Sequence, residues 1–130
     1  MNDSLRRYKV LLFDDSELTL EIQAGALEEA GFEVRTAQTL DDFGAILNSW
    51  LPEVILTDVN MPGLSGTEVC AALKQRYDTA HVPIVLCSGM SREELQQLAR
   101  QCEADAFVSK ADGVDRLGEE LRLLCEELAW

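Results

Sequence analysis

Residues 8–16 read Tyr8-Lys9-Val10-Leu11-Leu12-Phe13-Asp14-Asp15-Ser16, an apolar run too short for a helix that ends in two carboxylates and a hydroxyl. Four further short apolar runs follow, at Glu33 to Ala37, Val54 to Thr57, Ile84 to Cys87 and Ala106 to Ser109. Longer segments with helical spacing lie between them, and the alternation predicts five strands separated by helices. Crossover helices return every strand in the same direction, so the strands must pair in parallel and carry helices on both faces. The runs Val10-Leu11-Leu12-Phe13, Val54-Ile55-Leu56 and Ile84-Val85-Leu86 are apolar without interruption, as strands covered on both sides should be. The fold class is therefore α/β, a doubly wound five-stranded parallel sheet.

The helices carry end signals. Ser16 to Ala30 begins at a capping hydroxyl, with Asp15 as an alternative cap, and stops at Gly31, where a left-handed residue commonly closes a helix. Leu40 to Leu47 follows Thr39 and has Asp41 and Asp42 near its positive end. Ser65-Gly66-Thr67-Glu68 and Ser91-Arg92-Glu93-Glu94 both have the capping-box form, and apolar positions Val69, Ala72 and Leu73 or Leu95, Leu98, Ala99 and Cys102 follow them. A last helix places Val114, Leu117, Leu121, Leu124 and Leu128 on one stripe; Leu123 and Trp130 fall off it and are candidates for a partner surface or a weak homodimer contact.

Composition narrows the function. At 130 residues, with 47% apolar and 27% charged residues, the chain is expected to be one domain, 1–130, with a packed core and no output domain. The charge is 11 − 24 = −13, which opposes binding to nucleic acid or to anionic membrane. No stretch approaches the roughly 20 apolar residues of a membrane span, and a cytoplasmic location is expected. Cys70, Cys87, Cys102 and Cys125 form no Cys-x-x-Cys pair and read as reduced core residues.

Ligands of doubly wound sheets sit beyond the carboxyl ends of the strands. Asp14 and Asp15, Asp58, Ser88 and Lys110 follow four of the five strands and should gather there. Three carboxylates in one place repel unless a cation lies among them, and a hard divalent ion such as Mg²⁺ takes oxygen ligands. With that charge and Lys110 shielding its oxygens, a phosphoryl group becomes open to attack by an Asp carboxylate. Singly, each Asp is more often a turn residue or cap, Lys110 a solvated side chain and Ser88 a turn hydroxyl. Their joint placement is the signal.

Asp14-Asp15-Ser16, the segment Leu56-Thr57-Asp58-Val59-Asn60-Met61-Pro62-Gly63 with Gly66, Leu86-Cys87-Ser88-Gly89 and Phe107-Val108-Ser109-Lys110 together resemble the signature of response-regulator receiver domains. The resemblance implies a flavodoxin-like (βα)5 fold with strand order 2-1-3-4-5. It implies that Asp58 accepts phosphate from a histidine kinase or histidine phosphotransfer protein, with Mg²⁺ held by Asp14, Asp15, Asp58 and the backbone carbonyl of Asn60. Ser88 and Lys110 then hold the phosphoryl oxygens. Ser88 and Phe107 move as a switch that alters the face offered to a separate downstream protein, so that the chain catalyses its own phosphorylation and dephosphorylation without being a conventional enzyme. An apolar Met90 is expected to hinder attacking water. Ala111 stands where receivers usually have Pro, which leaves the isomer of the Lys110–Ala111 peptide open. Two rival readings are a docking module that is never phosphorylated and a hydrolase with an aspartyl-phosphate nucleophile; the hydrolase class typically has Asp-x-Asp after its first strand, whereas this chain has Asp14-Asp15.

Overall fold

A computed structural model of the chain describes residues 8–58, 60–61, 64–75, 82–110, 113 and 116–127. Its elements run β1 (Lys9–Phe13), α1 (Glu17–Glu29), β2 (Glu33–Ala37), α2 (Leu40–Leu47), β3 (Val54–Asp58), β4 (Asn60–Met61), β5 (Leu64–Ser65), α3 (Gly66–Gln75), β6 (Ile84–Ser88), α4 (Arg92–Cys102), β7 (Ala106–Ser109) and α5 (Leu117–Glu127). Five strands form one parallel sheet in the order β2-β1-β3-β6-β7. Numbered among themselves they stand 2-1-3-4-5, the flavodoxin-like order expected. The order reverses between β1 and β3, and the crevice of a doubly wound sheet opens at that point.

Successive strand residues point to opposite faces, so each apolar run feeds two cores. Leu11, Phe13, Ile55, Ile84 and Leu86 pack with Phe43, Cys70, Leu95 and Ala99 of α2, α3 and α4. Val10, Leu12, Val54, Leu56, Val85, Cys87 and Val108 pack on the other side with Leu20 and Leu27 of α1 and Leu117, Leu121 and Cys125 of α5. This two-sided burial is why β1, β3 and β6 show no polar alternation. Burying each of these large side chains contributes roughly 1.5–3 kcal/mol.

The helix ends follow the local chemistry. Ser16 caps α1, its Oγ accepting from the Thr19 N–H at 3.2 Å, and Asp15 does not take that place. Thr39 accepts from Asp42 N–H at 3.1 Å, and Ser91 accepts from Glu94 N–H at 3.2 Å while donating to the Glu94 carboxylate at 3.0 Å. Gly31 has φ +96 just past α1, where a Cβ is disfavoured. The end of α4 breaks the pattern, because Glu103 takes a left-handed φ of 60 without being a glycine.

Two expectations change. Alternation is not strict: the antiparallel β4–β5 ribbon stands between β3 and α3, and its two-residue strands are too short for any periodicity to mark them. Asp58 and Ser88 are the last residues of β3 and β6, not the residues after them, because Asp58 still pairs with Cys87 and Ser88 with Ser109. The stripe positions Val114 and Leu128, Trp130 and the Lys110–Ala111 peptide lie outside the described residues, as do the side chains of Ser65, Val69, Ala72 and Leu73 in the first capping box and its helix. Leu117 and Leu121 of the stripe are buried and Leu123 is exposed.

Candidate functional site

Asp14 is fixed from two sides as the chain leaves β1. Its N–H donates to the Ala37 carbonyl at the end of β2 at 3.2 Å, and its Oδ1 accepts from Ser16 N–H at 2.9 Å. The same turn that starts α1 therefore holds a carboxylate that is only 4% exposed. Asp58 is half-buried at the end of β3 and Asp15 is exposed. One ligand oxygen from each of Asp14, Asp15 and Asp58 lies within 4.8 Å of the other two. Residues 43 positions apart in the chain thus share one rim because β1 and β3 are neighbours in the sheet.

Lys110, just past β7, reaches the same rim. Its Nζ stands 3.4 Å from Asp14 Oδ2 and 3.8 Å from Asp58 Oδ1. One ammonium among three carboxylates leaves about two negative charges uncompensated, which is the charge of a divalent cation with the sign reversed. The donor set is all oxygen, as a hard cation requires. With one oxygen from each carboxylate within 4.8 Å of the other two, the residues fit such an ion.

Ser88 is 4% exposed, and its Oγ accepts from the Met90 N–H at 3.2 Å. A hydroxyl has one proton to give and two lone pairs, so accepting from Met90 leaves its own proton free for an incoming oxygen. Phe107 is half-buried and packs against the core on the α4 side of the sheet, as does Met90. Asn60 opens β4 two residues past Asp58, which puts its carbonyl near the rim by chain connectivity alone.

Some supporting residues are not evident from sequence. Ser109, 2% exposed, donates from Oγ to the Met90 carbonyl at 3.0 Å and ties the loop after β6 to the strand that presents Lys110. The buried Thr57 hydroxyl donates to the Asp58 carbonyl at 3.1 Å. Their only sequence signal is adjacency to Lys110 and Asp58. A recess of about 160 Å³ between α1 and α5 touches Lys110 but none of the three carboxylates. Beneath it, burial pushes the Cys87 thiol up to about 12; Lys110 opposes the rise and Asp58 and Asp14 add to it, leaving Cys87 an inert thiol.

The fold thus gathers an acidic trio and a lysine at the switch point of a parallel sheet. The profile of the response regulator receiver domain matches residues 10–122. The polar-differentiation response regulator DivK of Brucella ovis is 27% identical over 114 residues, covering 87% of this chain and 92% of DivK. Among solved structures, the chemotaxis response regulator CheY4 of Vibrio cholerae superposes with a TM-score of 0.79 at 27% identity, over 92% of this chain and 99% of that one. A CheY-like receiver domain protein of Methanospirillum hungatei gives 0.76 at 24% identity, over 95% and 97%, a likeness of fold. The chain belongs to the response regulator receiver-domain family. Members of this family work in two-component signalling and generally bind Mg²⁺. Among the described residues no helix is long and apolar enough to cross a membrane.

Proposed function

We propose that this chain is a phosphorylation switch in which Asp58 accepts a phosphoryl group from a histidine kinase or histidine phosphotransfer protein and passes the change to a separate downstream protein, in the cytoplasm. The observation that carries the reading is the convergence of Asp14, Asp15 and Asp58 within 4.8 Å beside Lys110. Asp14, Asp15, Asp58 and the Asn60 carbonyl would hold Mg²⁺. Mg²⁺ supplies charge neutralisation of the phosphoryl oxygens and a fixed template for them. Asp58 is the nucleophile: its carboxylate oxygen forms the new bond to phosphorus as the bond from phosphorus to the donor imidazole nitrogen breaks. Lys110, already within 3.8 Å of Asp58, then faces a phosphoryl oxygen as its ion-pair partner. Ser88 donates its free proton to another.

The acyl phosphate adds charge and acceptor oxygens at the end of β3. Ser88 turning toward them pulls on the Met90 amide it holds, and the Ser109 bond carries that pull to β7. Phe107, two residues before Ser109 and packed against the α4-side core, would change its packing in response. Such a shift of one side chain between two packings alters the population of two surfaces. Incubation with acetyl phosphate and Mg²⁺ followed by intact mass tests the reading. A single phosphoryl adduct that Asp58→Asn abolishes supports it. The absence of any adduct favours a docking module, and sustained phosphate release from many phosphate esters favours a hydrolase.

A further inference from the structure

The fold brings together two thiols that stand 32 positions apart in the chain, Cys70 in the middle of α3 and Cys102 at the end of α4. Their sulfurs lie 3.6 Å apart, with the Cys102 thiol directed at Cys70. A disulfide requires about 2.05 Å between sulfurs, so the pair stands about 1.5 Å from bonding distance. The two thiols differ in access. Cys70 is fully buried, whereas Cys102 is half-buried on the lip of a recess of about 330 Å³ lined by Ala71, Lys74, Gln75, Gln101 and Glu103. Cys87 and Cys125 belong to the core on the opposite face of the sheet, so the sheet itself separates them from this pair.

We propose that Cys70 and Cys102 form a peroxide-sensitive thiol pair, with Cys102 as the thiol that meets the oxidant and Cys70 as the thiol that resolves it into an intramolecular disulfide. In the first step the Cys102 thiolate attacks one peroxide oxygen, the O–O bond breaks, and Cys102 becomes a sulfenic acid while the peroxide is reduced to water or an alcohol. In the second step the Cys70 sulfur attacks the Cys102 sulfur and displaces hydroxide, which leaves as water with the Cys70 proton. Two electrons pass from the pair to the peroxide. Burial, then the neighbouring Cys102, pushes the Cys70 thiol up to about 12, which withholds it from the first step and makes the second depend on its 3.6 Å proximity to Cys102 and not on its acidity. The bond pins the last turn of α4 to α3, and closing a loop of this length shifts the unfolding equilibrium by up to roughly 500-fold. None of this depends on Asp58 being phosphorylated.

The test is treatment of the reduced protein with a small excess of hydrogen peroxide, followed by intact mass and a non-reducing peptide map. The expected result is a loss of two hydrogen masses, one cross-linked peptide joining Cys70 to Cys102, a higher denaturant midpoint, and reversal by dithiothreitol. Cys102→Ser should abolish the cross-link and Cys87→Ala should leave it; because Cys102 lies at a helix end, Cys102→Ala serves as a second variant if the serine perturbs folding. Four alkylatable thiols after treatment, oxidation of Cys102 to the sulfinic acid alone, a cross-link to Cys87 or Cys125, or a covalent dimer through Cys102 would each overturn the proposal.

Discussion

Neutralising Asp58 should make the metal-free protein more stable while weakening its response to Mg²⁺. The Asp58 carboxylate stands within 4.8 Å of two like charges and 3.8 Å from one opposite charge. At an effective dielectric of about 20, each repulsion amounts to about 3.5 kcal/mol and the attraction to about 4.4 kcal/mol. At about 80 the same pairs give about 0.9 and about 1.1 kcal/mol. Two repulsions removed against one attraction lost leave a net gain between about 0.6 and about 2.6 kcal/mol for Asp58→Asn. Asp15 is exposed, which draws the value toward the lower end, about 1 kcal/mol, or a rise in melting temperature of about 3–5 °C for a domain of this size. Mg²⁺ reverses the order: at ten times its dissociation constant it stabilises wild type by about 1.4 kcal/mol, and the variant, short of one ligand, by less. Thermal melts with chelator and with graded Mg²⁺ measure both effects. If the variant melts at or below wild type without metal, and both rise equally with Mg²⁺, the trio is not a strained cation site.

Three further outcomes follow from the packing around the rim. Gly118→Ala should destabilise by about 1–2 kcal/mol, because an added Cβ meets Ala30 Cβ at 2.6 Å across the α1–α5 contact and the clash outweighs the roughly 1 kcal/mol gain in helix propensity; Ala30→Gly in the same chain should restore part of the loss in urea melts. Stability should fall as pH rises from about 9 toward 12, since the buried Cys87 thiol keeps its proton in the folded state and gives it up more readily when unfolded; its contribution of roughly 4 kcal/mol is complete below the unfolded value and gone above the folded one, and Cys87→Val should make that limb of a pH-dependent melt shallower, the Cys70 share remaining. Ser109→Ala removes the donor to the partly buried Met90 carbonyl, so it should lose about 1 kcal/mol in denaturant melts and slow adduct formation on Asp58, whereas unchanged values would show that the loop holds itself.

The parts of the molecule legible from sequence are those where one physical demand dominates. Residues in β1, β3 and β6 are buried on both faces, which selects for apolar side chains, and so the runs Val10–Phe13, Val54–Leu56 and Ile84–Leu86 mark strands with little ambiguity. Ser16, Thr39 and Ser91 mark helix starts because an exposed amide at a helix end needs an acceptor that only a few side chains supply. The acidic trio was legible for a topological reason: parallel strands must present their carboxyl ends on one rim, so charged residues at those ends meet however far apart they lie in the chain.

What sequence did not reveal arises where the partner is set by tertiary distance alone. Cys70 and Cys102 carry no spacing motif, and their approach depends on how α3 and α4 lean together over the sheet; the same cysteines therefore read as isolated core residues until the helices are placed. Ser109 has the same history, since a serine closing a strand has many equivalent roles and only the return of the loop after β6 selects the Met90 carbonyl. Asp58 and Ser88 mark the boundary between the two cases. Their identity at the rim follows from the strand pattern, but their membership in the last rungs of β3 and β6 comes from pairing with Cys87 and Ser109. That pairing matters chemically. In the proposed reaction an Asp58 held by a strand rung moves less than one on a free loop, so the adaptation to a phosphoryl group would fall on the Ser88 hydroxyl and on the loop beyond it, the segment that Ser109 tethers.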